Sequence, residues 1–290
     1  MTSDLRTRLS QALLEKVAGE DAAAVRERIH ATPGPRWFDD DSPIQIVHGD
    51  PSMYIGGIRA LLLQSLHPLA MAAVAAHSGY RADTWGRLAR TATFLATTTF
   101  GTAEHAQQAV DIVRAVHVRI AGTAPDGRPY RADDPELLLW VHCAEIDSFL
   151  TAHHLYGRTR LTPEQRDTYV AQTAVVARKL GAHRVPTTHA GLRHALAEFR
   201  PHLQSTEAAR DVAAFLLREP PLPGSARLGY GLLARAAVAT LPRATRPMLE
   251  VADHPRLDRF VHRPVGHLGT AAMRWLNDAE PMARPQRSPD

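Results

Sequence analysis

The stretch of sequence that decides the fold is Asp134-Pro-Glu-Leu-Leu-Leu-Trp-Val-His-Cys-Ala-Glu-Ile-Asp-Ser-Phe-Leu150. Proline suits the first position of an α-helix, and the aspartate before it can accept hydrogen bonds from the free N–H groups of the first turn. The apolar residues that follow predict a buried helix reaching about His154. Thr162, Pro163 and Gln165 form a capping-box pattern, which predicts the start of a second helix. Gly181 predicts the end of that helix.

Helical spacing of apolar residues continues outside this stretch. Alanine and leucine dominate the 290 residues, and strand-like alternation is rare. No Gly/Ser-rich linker divides the chain, so we predict one all-α domain with peripheral extensions. Further helices are expected from Trp85 to about Phe100, from Thr102 to Ala121, and from Arg243 to Val251.

Composition narrows the function classes. The formal net charge is +4, but the arginines are scattered among acids rather than gathered into a stripe, so no nucleic-acid partner is predicted. Cys143 is the single cysteine, which excludes an intrachain disulfide and thiolate metal clusters. The first residues lack the apolar core of a signal peptide, so a cytoplasmic location is expected. The apolar run from Tyr54 to Val74 is interrupted by polar residues and predicts buried helices, not an integral membrane segment.

Two neighbouring helices carry the first candidate site. Arg87, Arg90 and Thr91 share one helical face, and a lone His117 follows on the next helix. Helices folding back at Gly101 would place Arg90 about 16 Å and His117 about 21 Å from the turn. Guanidinium and imidazole groups between apolar helices are costly unless an anion or metal lies there, and a haem offers both. The spacing alone equally allows a core histidine and arginines that are solvated or paired with acids.

A second polar cluster lies inside the apolar helix quoted above: His142, Glu145, Asp147 and Ser148. Such residues line a cavity or hold another helix through hydrogen bonds, and the second role is the more common one. The chain contains no G-x-S-x-G, P-loop, G-x-G-x-x-G or H-E-x-x-H motif, so hydrolase, NTPase and dinucleotide functions lack their usual signatures.

The order of short motifs resembles the MpaB/rubber-oxygenase family, which includes latex clearing protein. The similarity covers roughly residues 45 to 250, so we expect a catalytic domain there, an N-terminal helical extension over 1–44, and a C-terminal helix with a disordered tail over 251–290. The motifs that carry it are Gln64-Ser-Leu-His67-Pro, His77-Ser-Gly-Tyr80, Arg87-Leu-Ala-Arg90-Thr91, Phe100-Gly101, Val116-His117-Val-Arg-Ile-Ala-Gly122, Trp140-Val-His142, Asp147-Ser148-Phe149, Tyr156 and Leu180-Gly181.

The resemblance implies a globin-like helical core that binds haem b, with His117 as the iron ligand. The other residues that it implies for cofactor binding are Arg87, Thr91 and His142. The residues that it implies for catalysis are Arg90, Arg87 and Thr91. Arg90 stands where the rubber oxygenase has a distal lysine. Because arginine stays protonated it is a poor iron ligand, so Arg90 is expected to hydrogen-bond dioxygen or a propionate.

The implied activity is a haem-dependent oxygenase with dioxygen and a small apolar substrate, such as a terpenoid, a lipid or a secondary metabolite. Oxidative cleavage of a C=C bond is one reaction of this type. Rubber is not expected as the substrate, because no secretion signal is visible. Two alternatives remain open from the sequence: a non-catalytic helical protein that binds a lipid or isoprenoid, and a haem-based redox or gas sensor.

Overall fold

The computed structural model describes residues 22–77, 84–220, 222 and 224–277. This part of the chain is mostly helical and contains one two-stranded sheet, which confirms the all-α prediction. The helices are α1 (Ala22–Ala31), α2 (Pro43–His48), α3 (Ser52–Gln64), α4 (Pro68–His77), α5 (Thr84–Phe100), α6 (Ala103–His117), α7 (Pro135–Tyr156), α8 (Pro163–Leu180), α9 (His189–Phe199), α10 (Glu207–Leu217), α11 (Gly224–Thr240), α12 (Pro255–Leu257) and α13 (Arg263–Asn277).

The predicted helix starts have the expected capping chemistry. Asp134 accepts hydrogen bonds from two backbone N–H groups at the start of α7. Thr162 and Gln165 form the capping box of α8, and Gly181 ends that helix in the left-handed region with φ of 110°. These elements follow from residues within four positions of each other, which explains why the sequence alone predicts them.

The core is centred on the contact between α3 and α7. At Gly56 a Cβ atom would lie 2.8 Å from the Phe149 ring, so glycine lets the two helices approach closely. The largest fully buried side chains include Trp140, Tyr156 and Tyr169. Cys143, on α7, is also fully buried. Helices α8 and α9 pack on one side of α7, and α11 packs on α3.

Two predicted helices are shorter or absent. Helix α6 ends at His117, and a hairpin follows in which β1 (Ala121–Thr123) pairs antiparallel with β2 (Pro129–Arg131). Its turn contains Gly127 with φ of 87°, a conformation that favours glycine and ends helical structure. Residues 243–251 form two 3₁₀ turns instead of a helix. Pro247 causes this, because it lacks an N–H donor and disfavours helix in the residue before it.

Helices α3 and α4 bend by 105° where His67 and Pro68 join them. In the described part of the chain no single helix is long and apolar enough to cross a membrane, although this bent pair passes such a test by length and composition. Much of α3 is buried against the rest of the protein.

The C-terminal region is one continuous helical run. Residues Asp258–His262 form a π-helical turn that joins α12 to α13, and α13 packs along α11. The Arg246 guanidinium binds the carboxylates of Asp253 and Asp258, and His262 binds Asp258 at 2.9 Å. Of the predicted N-terminal extension, residues 1–21 lie outside the described residues, as do residues 278–290 of the predicted C-terminal helix and tail.

Candidate functional site

The turn between α5 and α6 is tightly held. Gly101 and Thr102 alone join the two helices, and the Thr102 hydroxyl caps α6 by accepting the His105 N–H. Arg36 donates a hydrogen bond to the carbonyl of Phe100, the last residue of α5. Ala103 N donates to the Pro35 carbonyl at 2.7 Å. Helices α5 and α6 therefore pack against each other from a fixed turn, and Arg90 and His117 lie towards the ends remote from it.

His117 occupies the last residue of α6. Its ring is half-buried, and its Nδ1 atom is buried without a hydrogen-bond partner. Burial lowers the pKa of His117, and the nearby Asp133 carboxylate partly offsets this. The imidazole is therefore neutral at neutral pH, which is the form that binds a metal.

The arginine-bearing face lies on the first half of α5. Arg87 is half-buried, whereas Arg90 and Thr91 are exposed. The Thr91 hydroxyl donates to the Arg87 carbonyl at 3.0 Å. Burial lowers the pKa of Arg87, and the positive charge of Arg90 lowers it further. Because Arg87 is partly desolvated and is repelled by Arg90, an anionic group such as a carboxylate would be favourable beside it.

The polar residues of α7 divide between two sides of the helix. Asp147 pairs with Arg59 at 2.7 Å, and Ser148 accepts a hydrogen bond from the same guanidinium at 2.7 Å. Arg59 also donates to the Thr240 carbonyl at the end of α11. Through these contacts with Asp147, Ser148 and Thr240, Arg59 joins α3 to α7 and α11.

His142 and Glu145 lie apart from this ion pair. His142 is buried, and its Nε2 atom has no hydrogen-bond partner. Burial, with the charge of Arg178, lowers the pKa of His142 to about 4, so the ring is neutral. Burial also raises the pKa of Glu145 to about 7. The residue as a whole nevertheless keeps an intermediate exposure.

A buried hydrogen-bonded chain next to Glu145 is absent from the sequence predictions. His48 Nδ1 lies 2.8 Å from the Thr99 hydroxyl on α5, and its Nε2 lies 3.2 Å from the Tyr169 hydroxyl on α8. Burial lowers the pKa of His48 to about 3. Burial and the Glu145 charge raise the pKa of Tyr169. No sequence signal indicated that His48, Thr99 and Tyr169, which lie on three separate helices, meet in the interior.

Other residues of the resembling motifs have structural contacts. Trp140 packs against His67 and Phe199, and its indole N–H donates to the Gln64 carbonyl at 3.2 Å. His77 contacts the Tyr130 hydroxyl at 3.1 Å and so holds the β-hairpin, while Ser78 to Asp83 lie outside the described residues. Within the described residues no group of three His, Cys, Asp or Glu side chains is arranged to hold a metal ion.

Comparison with known proteins identifies the family. The family model for the catalytic domain of "ER-bound oxygenase mpaB/B'/Rubber oxygenase" matches residues 46–276. A search of curated proteins and a search of solved structures gave no match. The matched span runs from within α2 to the last turn of α13 and includes Arg87, Arg90, Thr91, His117 and His142. This chain belongs to the MpaB/rubber-oxygenase family, a family of oxygenases.

Proposed function

We propose that the protein is a haem b-dependent oxygenase of a small apolar substrate, with His117 as the iron ligand. The observation that carries the proposal is the state of His117: a neutral, half-buried imidazole whose Nδ1 has no partner in the protein. Membership of an oxygenase family supports the activity, and Arg87 and Arg90 on α5, the helix that packs against α6, would supply the charge that haem propionates require.

The residues fit a haem as follows. His117 would bind the iron, and Arg87 would pair with a propionate, which also relieves its repulsion from Arg90. Thr91 is one turn from Arg87 on the same face and offers a hydroxyl for the same purpose. His142 is neutral and buried, so it would contact the macrocycle without adding charge. When bound, the haem supplies the redox chemistry that activates dioxygen.

Arg90 distinguishes this chain from the rubber-cleaving pattern. A guanidinium remains protonated and donates hydrogen bonds but does not bind iron. Arg90 would therefore donate N–H hydrogen bonds to dioxygen or to a propionate, and would not bind the iron. Phe94 and Leu95, both half-buried on α5, would give an apolar substrate an apolar wall.

Haem binding tests the proposal directly. Purified protein is titrated with hemin and its Soret band recorded, together with that of His117→Ala and of His105→Ala. His105 is a matched control because it is a half-buried histidine on the same helix, about 18 Å away by helical rise. We expect a Soret band in wild type and His105→Ala, and a shifted or lost band in His117→Ala.

The alternatives give different results. A protein that purifies without iron, fails to bind hemin and carries an apolar ligand by mass spectrometry is a lipid- or isoprenoid-binding protein. A haem protein that binds dioxygen or carbon monoxide but consumes no dioxygen with any apolar alkene offered is a sensor. Either result contradicts the proposed oxygenase.

A further inference from the structure

One side of the C-terminal helical run is apolar and exposed. We call it the apolar stripe; its members are Leu257, Phe260, Val261, Pro264, Leu268, Ala271, Ala272 and Trp275. They follow one another at intervals of one, three or four residues, which places them on one face of a helix. Phe260 is 68% exposed and Leu268 67% exposed. Large apolar side chains in such a row mark an interaction surface.

The opposite side of α13 explains why the stripe faces outward. Gly266 lies so close to α11 that a Cβ atom there would be 2.8 Å from Ala236, and at Gly269 one would be 2.9 Å from Leu233. Arg274 binds the Asp50 carboxylate and the Tyr156 carbonyl, which fixes the end of the helix to the core. The helix thus packs through Gly266, Gly269 and Met273, while Leu268 on the other side is exposed.

A row of positive charge runs beside the apolar stripe. Arg256, Arg259 and Arg263 are all exposed, and the Arg259 guanidinium lies over the Phe260 ring at 5.5 Å. The sequence of α11 and of residues 255–277 contains one carboxylate residue, Asp258. That residue is buried and is bound by Arg246 and His262. The surface formed by these helices therefore carries cations and apolar groups without an accessible carboxylate.

We propose that this face docks on the surface of a membrane that contains anionic phospholipids. An apolar row with aromatic residues, flanked by arginine, is the arrangement with which helices lie in the headgroup region of a bilayer. The arginines would pair with lipid phosphates while the stripe enters the acyl boundary. The helix would lie on the membrane and not span it.

Charge argues against a second copy of the chain as the occupant. Two copies of this face would oppose arginines to arginines around their apolar rows, because the described residues of its helices expose no carboxylate and Asp253, which precedes them, is already paired with Arg246. An anionic lipid surface satisfies both features of the face together. The inference stands on the C-terminal helices alone and does not depend on haem.

Vesicle binding tests the proposal. The full chain is sedimented with vesicles of phosphatidylcholine and with vesicles of phosphatidylcholine and phosphatidylglycerol. Leu268→Asp is compared with Ile112→Asp, because Ile112 is an aliphatic residue on α6 with a similar exposure of 65% outside the stripe. We expect wild type and Ile112→Asp to bind the anionic vesicles, and Leu268→Asp to bind them about tenfold or more weakly. Replacing Arg256, Arg259 and Arg263 by glutamine should remove the preference for anionic vesicles.

Other outcomes of these experiments would contradict the proposal. Equal binding by Leu268→Asp and Ile112→Asp, or no binding of wild type to anionic vesicles, overturns the proposal. A wild-type dimer that Leu268→Asp converts to a monomer shows instead that a second copy covers the face. All the substituted side chains are exposed, so unchanged far-ultraviolet circular dichroism and thermal midpoints exclude misfolding as the cause.

Discussion

The fold sets the charge state of Glu145. Burial raises its pKa from 4.5 to about 7, so the folded protein holds its proton more tightly than the unfolded chain does. Below about pH 4.5 the carboxyl is protonated in both the folded and the unfolded state, so it does not lower the free energy of unfolding. As the pH rises from about 4.5 to about 7, stability falls because Glu145 ionises in the unfolded chain while the folded protein keeps its proton.

Glu145→Gln removes this ionisation at nearly constant volume. We expect the variant and wild type to have similar unfolding free energies at about pH 4.5, and the variant to become more stable by on the order of 3 kcal/mol above pH 7. Urea denaturation across this range measures the difference. Parallel curves for the two proteins would show that Glu145 is not desolvated in the folded state.

The α5–α6 hairpin depends on its connecting glycine. A Cβ atom at Gly101 would lie 2.5 Å from the Thr97 carbonyl oxygen, closer than any side chain tolerates. A larger residue must therefore move the end of α5 relative to α6. Because Arg87 and His117 lie on these two helices, such a movement also changes the spacing of the proposed haem site.

Gly101→Ala should destabilise the protein by about 1–3 kcal/mol through this clash and weaken hemin binding. Gly57→Ala is the control, since a Cβ atom on that α3 glycine meets nothing within 4 Å. Alanine there should be neutral or stabilising by up to about 1 kcal/mol, owing to its better helix propensity. Thermal unfolding with and without hemin separates the two effects. A Gly101→Ala protein indistinguishable from Gly57→Ala would refute the role of the turn.

At the scale of the whole molecule, one buried ion pair joins helices that are far apart in the sequence. Arg59 is 3% exposed and Asp147 18% exposed, and the same guanidinium reaches Ser148 and the Thr240 carbonyl. Removing one partner of such a pair leaves an uncompensated charge in the interior, which is more costly than the loss of the contact itself.

Asp147→Asn should accordingly lower the free energy of unfolding by about 3 kcal/mol or more. Asp126→Asn provides the comparison, because Asp126 pairs with Arg128 on the surface of the hairpin turn, where solvent screens the interaction. We expect no measurable change there. If the two substitutions had equal effects in denaturant titrations, Arg59 would have to be satisfied by its carbonyl and hydroxyl partners alone.

The sequence predicts best what neighbouring residues determine. The starts of α7 and α8 follow from Asp134 and from Thr162 with Gln165, which act on the helix turns beside them. Sequence reasoning missed the end of α6 at His117, because the hairpin that replaces its predicted last turn is stabilised by cross-strand pairing. It also missed the partners of His48 and Arg59, since these lie 51 to 181 positions away and depend on how the helices pack.

The sequence predicted which residues belong to the candidate site but not their burial or their hydrogen bonds. Arg87, Arg90, Thr91 and His117 were identified from their spacing and from the family motifs. The structure adds that Arg87 is partly desolvated and that His117 has an unsatisfied Nδ1, neither of which a sequence records. The apolar stripe was missed, because only the packing of Gly266 and Gly269 on α11 reveals which side of that helix faces solvent.

Because Cys143 is buried, the rate at which its thiol reacts can report the rate at which the protein unfolds around it. Burial, with the charge of Asp147, raises the pKa of this single thiol to about 12, so neither access nor ionisation allows it to react in the folded state. Modification by Ellman's reagent should therefore proceed at the rate at which α7 leaves the core. Ligands that stabilise the fold should slow that colour change, whether or not any turnover assay exists.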